Sequence, residues 1–386
     1  MAEHTPYPLF CIGHPLLDIQ VRNGEALLAK YGLEANGYTL AKDKQLEIYD
    51  DIVANHQVTF VAGGGAQNMA RGAAYILPPK SVAYTGAVGN DSLAEQLRQA
   101  NEREGVLHVY DVHDDEKTGA CAVVITGHHR SLTTTHRAAQ KFRTPHLSSP
   151  DVAPLIRNAS FYYLEGFFLR HGLEAALEVA TKSSEHGKTF ILNISAPFVV
   201  QHFGAQLKAL LPYVDILIGN EAEAAAWATA NEMPNPSDLH AIARSLALFP
   251  KVNASKPRIV LFTQGGKSTL LLAAQNPDEP RIYPVLEAEN LIDTNGAGDA
   301  FAGGFAAGLV AGYSLDDSVW LGHELARECV HQVGPQYPWP KVDILVYVNS
   351  FIHNMEQVFE EVLRMVRVGS PSFGFAFVWL PAPRLW

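Results

Sequence analysis

A carboxylate next to a glycine turn is the most chemically suggestive feature of this sequence. In LIDTNGAGDAFAGGFAAGL, residues 291–309, a short apolar run ends at Asp293. Asn295, Gly296, Ala297 and Gly298 then make a tight turn into a helix that starts near Asp299. Glycines let the backbone approach an anion closely, and the first N–H groups of a helix point at it. An acid in a first helical turn ordinarily just stabilises the helix. Beside a cradled phosphate, however, a carboxylate repels the anion unless a third group lies between them. A substrate hydroxyl resolves that conflict: Asp299 accepts its proton while the turn holds the transferred phosphoryl group. Small residues at 302–304 and 306–308 give the same helix a smooth face for close packing.

Four other motifs have two uses each. VAGGGAQNMARGAA, residues 61–74, runs strand, glycines, helix. Its spacing is not GxGxxG, and GxxxxGK[ST] occurs nowhere, which excludes a P-loop and disfavours a nicotinamide site. HPLLD ends in Asp18, either a turn or cap residue or an acceptor for two neighbouring sugar hydroxyls. GNEAEA, residues 219–224, places Asn220 and Glu223 either around a hydrated Mg²⁺ or in an ordinary capped helix start. FTQGGKST, residues 262–269, is a strand and glycine turn, or only a hairpin.

The elements that position these motifs alternate. Strands are predicted at 9–13, 58–62, 82–85, 161–164, 190–194, 216–218 and 259–263, and helices at 66–77, 172–186 and 238–248. Continuous β-branched runs between helical patterns predict an α/β fold, a doubly wound and mostly parallel sheet covered on both faces. Ligands then belong at the carboxyl ends of the strands. Two stretches break the alternation: 19–41, with a strand-like piece at 38–41, and a hairpin over 118–135 turned around 127–130. They predict a small β-sheet, a lid over the site, from segments of about 16–41 and 115–137 inserted in a domain of residues 1–341.

The chain has 386 residues, 47% of them apolar types and 18% charged, with a net charge of −11. That composition supplies a large core and excludes a disordered chain. So acidic a chain is a poor general binder of nucleic acid. Three scattered cysteines without a CxxC exclude a zinc finger or redox pair and suit a reducing cytoplasm. No signal peptide or apolar run long enough to span a membrane is visible.

Together, PLLD, GGGAQN, TGACAVVITGHHRSL, EGFFL, NISAPF, PYVDILIGNEAEA, FTQGG and DTNGAGDAF resemble, in order and spacing, the ribokinase-like carbohydrate kinase (PfkB) family. The resemblance spans roughly residues 7–340. It implies a large α/β domain with a small β lid, usually monomeric, that uses ATP and Mg²⁺ to phosphorylate the 5′-hydroxyl of adenosine. Carried over by position, Asp299 is the general base and Gly296, Ala297 and Gly298 are the anion hole. Asp18 holds the ribose hydroxyls with Gly64, Gly65 and Asn68, and Asn295 lies between the nucleoside and ATP. Leu16, Leu40, Cys121, Phe168 and Phe198 enclose the adenine of the substrate. Arg130, on the lid hairpin, approaches the phosphates. Asn220 and Glu223 serve Mg²⁺, Glu223 through water. Thr263, Gly265 and His323 lie along ATP, and Asp293 helps bind a monovalent cation such as K⁺. An Asp of ordinary pKa is an adequate base in a loose phosphoryl-transfer transition state, because the hydroxyl proton leaves late.

The chain departs from the family at three places. His14 stands where an asparagine is usual, and His136 where an apolar lid residue would cover the base. Residues 342–386 have no counterpart. Apolar positions 344, 348, 351, 355, 359, 362 and 366 predict an amphipathic helix over 342–368. The apolar end, FAFVWLPAPRLW, reads instead as sequence foreign to the native protein. A kinase of a free sugar such as ribose, and a catalytically silent nucleoside-binding protein, are the alternatives. Aromatic pocket residues argue against the first and the intact GAGD turn against the second.

Overall fold

The computed structural model describes residues 6–35, 37–127 and 129–345. Among these described residues sixteen strands fall into three sheets: Leu9–Ile12 (β1), Leu16–Arg22 (β2), Tyr38–Leu40 (β3), Val58–Gly63 (β4), Val82–Thr85 (β5), Ala87–Gly89 (β6), Val106–His108 (β7), Asp111–His113 (β8), Ala120–Thr126 (β9), His129–Thr135 (β10), Phe161–Glu165 (β11), Thr189–Asn193 (β12), Ile216–Asn220 (β13), Ile259–Thr263 (β14), Ser268–Ala273 (β15) and Arg281–Pro284 (β16). The central sheet runs β16-β15-β14-β13-β12-β11-β1-β5-β7. Strands β7 to β14 of that order are parallel, and β15 and β16 add antiparallel pairs, so the sheet is mixed.

Apolar runs make the parallel strands because both faces are covered. Alternation persists inside them. Phe10, Tyr162, Leu164, Phe190, Leu192, Val260 and Phe262 project into one continuous core with Ala176, Val179 and Ala180 of the helix Leu173–Glu185. Buried Arg258 ties together the ends of several elements there, donating to the carbonyls of Val214, Leu246, Phe249 and Leu211 at 2.6–3.0 Å.

The second sheet has the order β3-β10-β9-β2-β4. One face, with Ile19, Val21, Ala120, Ala122 and Val124, is covered by Leu27, Tyr31, Ile48, Tyr49 and Ile52 from the helices Glu25–Tyr31 and Ile48–Asn55. The sequence placed 58–62 among the central strands. It is instead β4, paired antiparallel with β2 from Leu16↔Gly63 to Val21↔Val58. Its exposed Thr59 and Phe60 suit an outer strand rather than one covered on both faces. The motif at 262–269 is indeed a hairpin, β14 to β15.

Three helices converge behind the glycine turns: Gly65–Ile76, Ala297–Ala311 and Leu315–Val330. The small residues of the middle helix permit this. A Cβ on Gly303 would lie 2.8 Å from the Met69 carbonyl oxygen, and one on Gly304 2.5 Å from that of Leu321. Residues 6–342 fall within one compact unit. Most of the helix expected over 342–368 lies outside the described residues. Among those residues no helix is long and apolar enough to cross a membrane.

Candidate active site

The carboxyl ends of β1, β11, β13 and β14 and one face of the second sheet surround a cleft, and most of the motifs lie there. Gly296, with φ +82°, caps the helix Ala297–Ala311, so Asp299 falls in its first turn. A Cβ at Gly296 would sit 2.5 Å from Cβ of Pro335. Ala297 N–H donates to the Thr294 carbonyl at 3.2 Å, and Ala300 N–H to that of Gly296 at 2.8 Å. Of the N–H groups expected to form an anion hole over 296–298, that of Ala297 is thus engaged by Thr294, while those of Gly298 and its successor have no acceptor within the helix. A Cβ on Gly298 would meet nothing within 4 Å, so the backbone is open there.

Asp299 is held from behind by a chain of polar contacts. Asn68 Nδ2 donates to Asp299 Oδ2 at 3.0 Å, Arg71 Nη1 donates to Asn68 Oδ1 at 3.3 Å, and Arg71 Nε meets Glu104 Oε2 at 2.6 Å. Arg71 fixes which way the Asn68 amide faces. Burial pushes Asp299 up to about 6, while Asn68 and Arg71 pull it back. It is therefore mostly ionised at neutral pH, and basic enough to accept a proton.

Register carries the nucleoside-side residues into one row. Leu40 pairs with Thr134, Thr134 with Cys121, and Cys121 with Asp18. Cross-strand partners share a face, so Leu40, Cys121 and Asp18 line the side of the second sheet opposite its helices, with Leu16 two residues from Asp18. Burial lifts Asp18 to about 7, with Asp299 and Asp293 adding to the rise and Arg71 opposing it. Gly64, at φ +88°, brings the start of the helix Gly65–Ile76 hard against the His14 carbonyl, where a Cβ would collide. Phe168 is fully buried against His14, ring centroids 5.4 Å apart, and Phe198 packs on Phe167 at 5.7 Å.

The two unusual histidines meet. His14 and His136 rings lie 5.2 Å apart, and His171 is within 6.3 Å of both. Burial, aided by Arg170 and His171, lowers His136 to about 4; burial, with His136, His171 and Arg170 adding to it, holds His14 well below its ordinary value. All the chemistry they offer is that of neutral imidazoles, one donor and one acceptor each. Both ring nitrogens of His14 are buried without a hydrogen-bond partner among the described residues.

A second row runs along the central sheet. Asn220 pairs with Thr263, Thr263 with Thr269, and Thr269 Oγ1 meets His323 Nε2 at 2.8 Å. Gly265, at φ +56°, turns this hairpin. Asn220 and Glu223 form the capping box that the sequence left open. The Asn220 side chain accepts from Glu223 N–H at 2.9 Å, and Glu223 accepts from Asn220 N–H at 3.0 Å. The metal reading survives on different grounds. Glu223 is buried with no cationic side chain paired to it among the described residues, and burial together with Asp299 raises it to about 7. No group of three metal-binding side chains exists among the described residues, so a Mg²⁺ here fits as a hydrated ion sharing ligands with phosphates.

Arg130 and Asp293, expected to serve phosphate and a monovalent cation separately, pair with each other. Asp293 also accepts from Gly334 N–H at 2.7 Å and Asn295 N–H at 3.0 Å. Both Asp293 oxygens thus accept backbone N–H groups.

Sequence reasoning missed Glu165, Arg71, Glu104, Arg170 and His171. Glu165 is 1% exposed, accepts from His14 N–H at 2.6 Å and Ala66 N–H at 2.7 Å, and is raised by burial to about 8. A charged residue interrupting an apolar strand or a run of small helical residues was the available signal in YYLEGFF and NMARGAA.

Comparison with known proteins agrees with this geometry. Residues 26–342 match the model of the pfkB family carbohydrate kinases. Adenosine kinase of Schizophyllum commune is 58% identical over 343 residues, 88% of this chain and 100% of that protein. The Saccharomyces cerevisiae adenosine kinase is 39% identical over 87% of this chain and 98% of its own length. Anopheles gambiae adenosine kinase in complex with P1,P4-di(adenosine-5) tetraphosphate superposes with a TM-score of 0.79 at 37% identity, covering 86% of this chain and 98% of that one.

Proposed function

The chain belongs to the pfkB family of carbohydrate kinases, and from that premise we propose how it acts as an adenosine kinase. ATP and adenosine are its substrates, and AMP and ADP its products. Asp18, on the inner face of the second sheet, accepts the two ribose hydroxyls, assisted by Asn68 and the backbone of Gly64 and Gly65. His14 offers its unpartnered ring nitrogens to the same sugar. The purine rests among Leu16, Leu40, Cys121, Phe168 and Phe198, apolar and aromatic groups that suit its faces. Asn295 separates the nucleoside from ATP, which lies along Thr263, Gly265 and His323.

The 5′-oxygen attacks the γ-phosphorus and its proton passes to Asp299 Oδ. The bond from that phosphorus to the bridging oxygen breaks, and ADP leaves. The first-turn N–H groups at Gly298 face the charge that develops on the moving phosphoryl group. Arg130 exchanges Asp293 for the phosphates as the second sheet closes down as a lid and excludes water. Mg²⁺, held through water by Glu223 and Asn220, neutralises phosphate charge when bound. We read the chain as a single-subunit enzyme of the cytoplasm.

The observation that carries this reading is the half-buried Asp299 carboxylate, oriented by Asn68 beside the open Gly298 backbone. Asp299→Asn keeps the shape and an oxygen for Asn68 but removes the base. AMP formation should fall about 10²–10⁴-fold while adenosine still binds. Ribose phosphorylated in preference to adenosine, or adenosine bound by wild type without AMP appearing, would overturn the reading.

A further inference from the structure

Glu165 has no part in the steps above, yet it is a fully buried acid at the centre of the molecule. Register explains its position. Strand β1 pairs with β11 in parallel with Ile12 opposite Leu164, so Glu165 stands level with Gly13, one residue beyond the strand end. At that level the chain leaves the central sheet through Gly13, His14 and Pro15 to begin β2. It returns at the same level, from β4 through Gly63 and Gly64 into the helix Gly65–Ile76.

Glu165 holds both crossings. Oε1 accepts the His14 N–H at 2.6 Å and Oε2 the Ala66 N–H at 2.7 Å, with the Gly65 N–H adding to the second. The glycines on each side are shaped around it. A Cβ on Gly13 would lie 2.7 Å from Oε1, and one on Gly65 would lie 2.7 Å from Oε2. Among the described residues Glu165 has no cationic partner, so burial favours its neutral form, and the hydrogen bonds accepted by its two oxygens are what satisfy it there. These bonds go to two backbone segments far apart in sequence that both connect the central part of the fold to the second sheet.

We propose that Glu165 is a positioning residue, a pin through the two hinge crossings that sets the height of Asp18 and Asn68 over Asp299. Asp18 lies four residues beyond the first crossing, and Asn68 two residues beyond Ala66. The carboxylate thus fixes the ribose-holding groups relative to the base without touching the substrate. This inference rests on the reading of the cleft as an adenosine-phosphorylating site.

Glu165→Gln and Glu165→Ala test it. The glutamine keeps the volume but turns an NH₂ group toward one of the two backbone donors. The adenosine KM should rise about tenfold or more in both variants, with the ATP KM within about twofold of wild type. A merely structural role would move both constants together or neither. Adenosine KM values within about twofold of wild type in both variants would overturn the proposal. Should the variants not fold, amide hydrogen exchange on the wild-type chain without adenosine decides. The His14 and Ala66 amides should exchange about 100-fold more slowly than the loop 264–267, and equal rates would overturn the pin. Failure of the parent reading looks different: wild type itself would then make no AMP.

Discussion

Asp299 works through what stands behind it. Its carboxyl is raised from an ordinary 3.8 to about 6, chiefly by burial, and the ionised form is the competent base. Activity therefore needs pH above that value and is lost as pH falls through it. We expect kcat to decline below pH of about 6 with a slope of one proton, while holding level toward pH 8. Asn68→Asp tests the orienting chain. A second carboxylate in place of the amide donor repels the ionised Asp299, so the acid limb of the kcat profile should move upward by about one pH unit. An unmoved limb in that variant would show that the Asn68 contact does not govern the base. His136, lowered by burial to about 4, should leave this limb untouched.

Elements deliver these residues by packing rather than by propensity. The helix Ala297–Ala311 begins at the anion-holding turn, and its depth is set by glycines that let two neighbours approach to backbone contact. Gly304→Val places two methyl groups against the Leu321 carbonyl. We expect about 1–3 kcal/mol of lost stability, read as a lower midpoint in urea, with kcat reduced because the first turn shifts. Arg258→Met separates stability from function. It removes the donors from three buried carbonyls and a part-buried one far from the cleft, so the chain should lose about 3 kcal/mol or more while kcat in the folded protein stays at the wild-type value. A fall in kcat equal to that of the glycine variant would contradict the division.

At the scale of the whole molecule, the cleft concentrates acid. Asp18, Asp293, Asp299 and Glu223 influence one another across it, opposed from the protein chiefly by Arg71 and Arg130. Such a site awaits a ligand that brings hydroxyl donors on one side and a phosphate-bound divalent cation on the other. Chelation of Mg²⁺ should abolish turnover while leaving adenosine binding within about twofold. The steps proposed above use no residue after 341. A chain ending there should convert adenosine at a rate within about twofold of the full-length protein, and loss of turnover would assign the tail a role.

By themselves, local signals determined the strand–helix alternation, the turn before Asp299 and the hairpin of the second sheet. Each depends on residues within a few positions of one another, so spacing and side-chain type suffice. They did not determine where 58–63 pairs, because a half-exposed outer strand and a short central one read alike until a partner is chosen. They did not reveal Glu165 or Arg71, since a charge inside an apolar run has meaning only once its partners, 151 and 33 residues away, are brought within hydrogen-bond reach. Nor could they show that Arg130 and Asp293 meet, or that two histidines 122 residues apart share one wall of the cleft, which follows from the positions 14 and 136. Those are products of closure. Only the folded chain removes the water that would otherwise separate such groups, and with it fixes their charge.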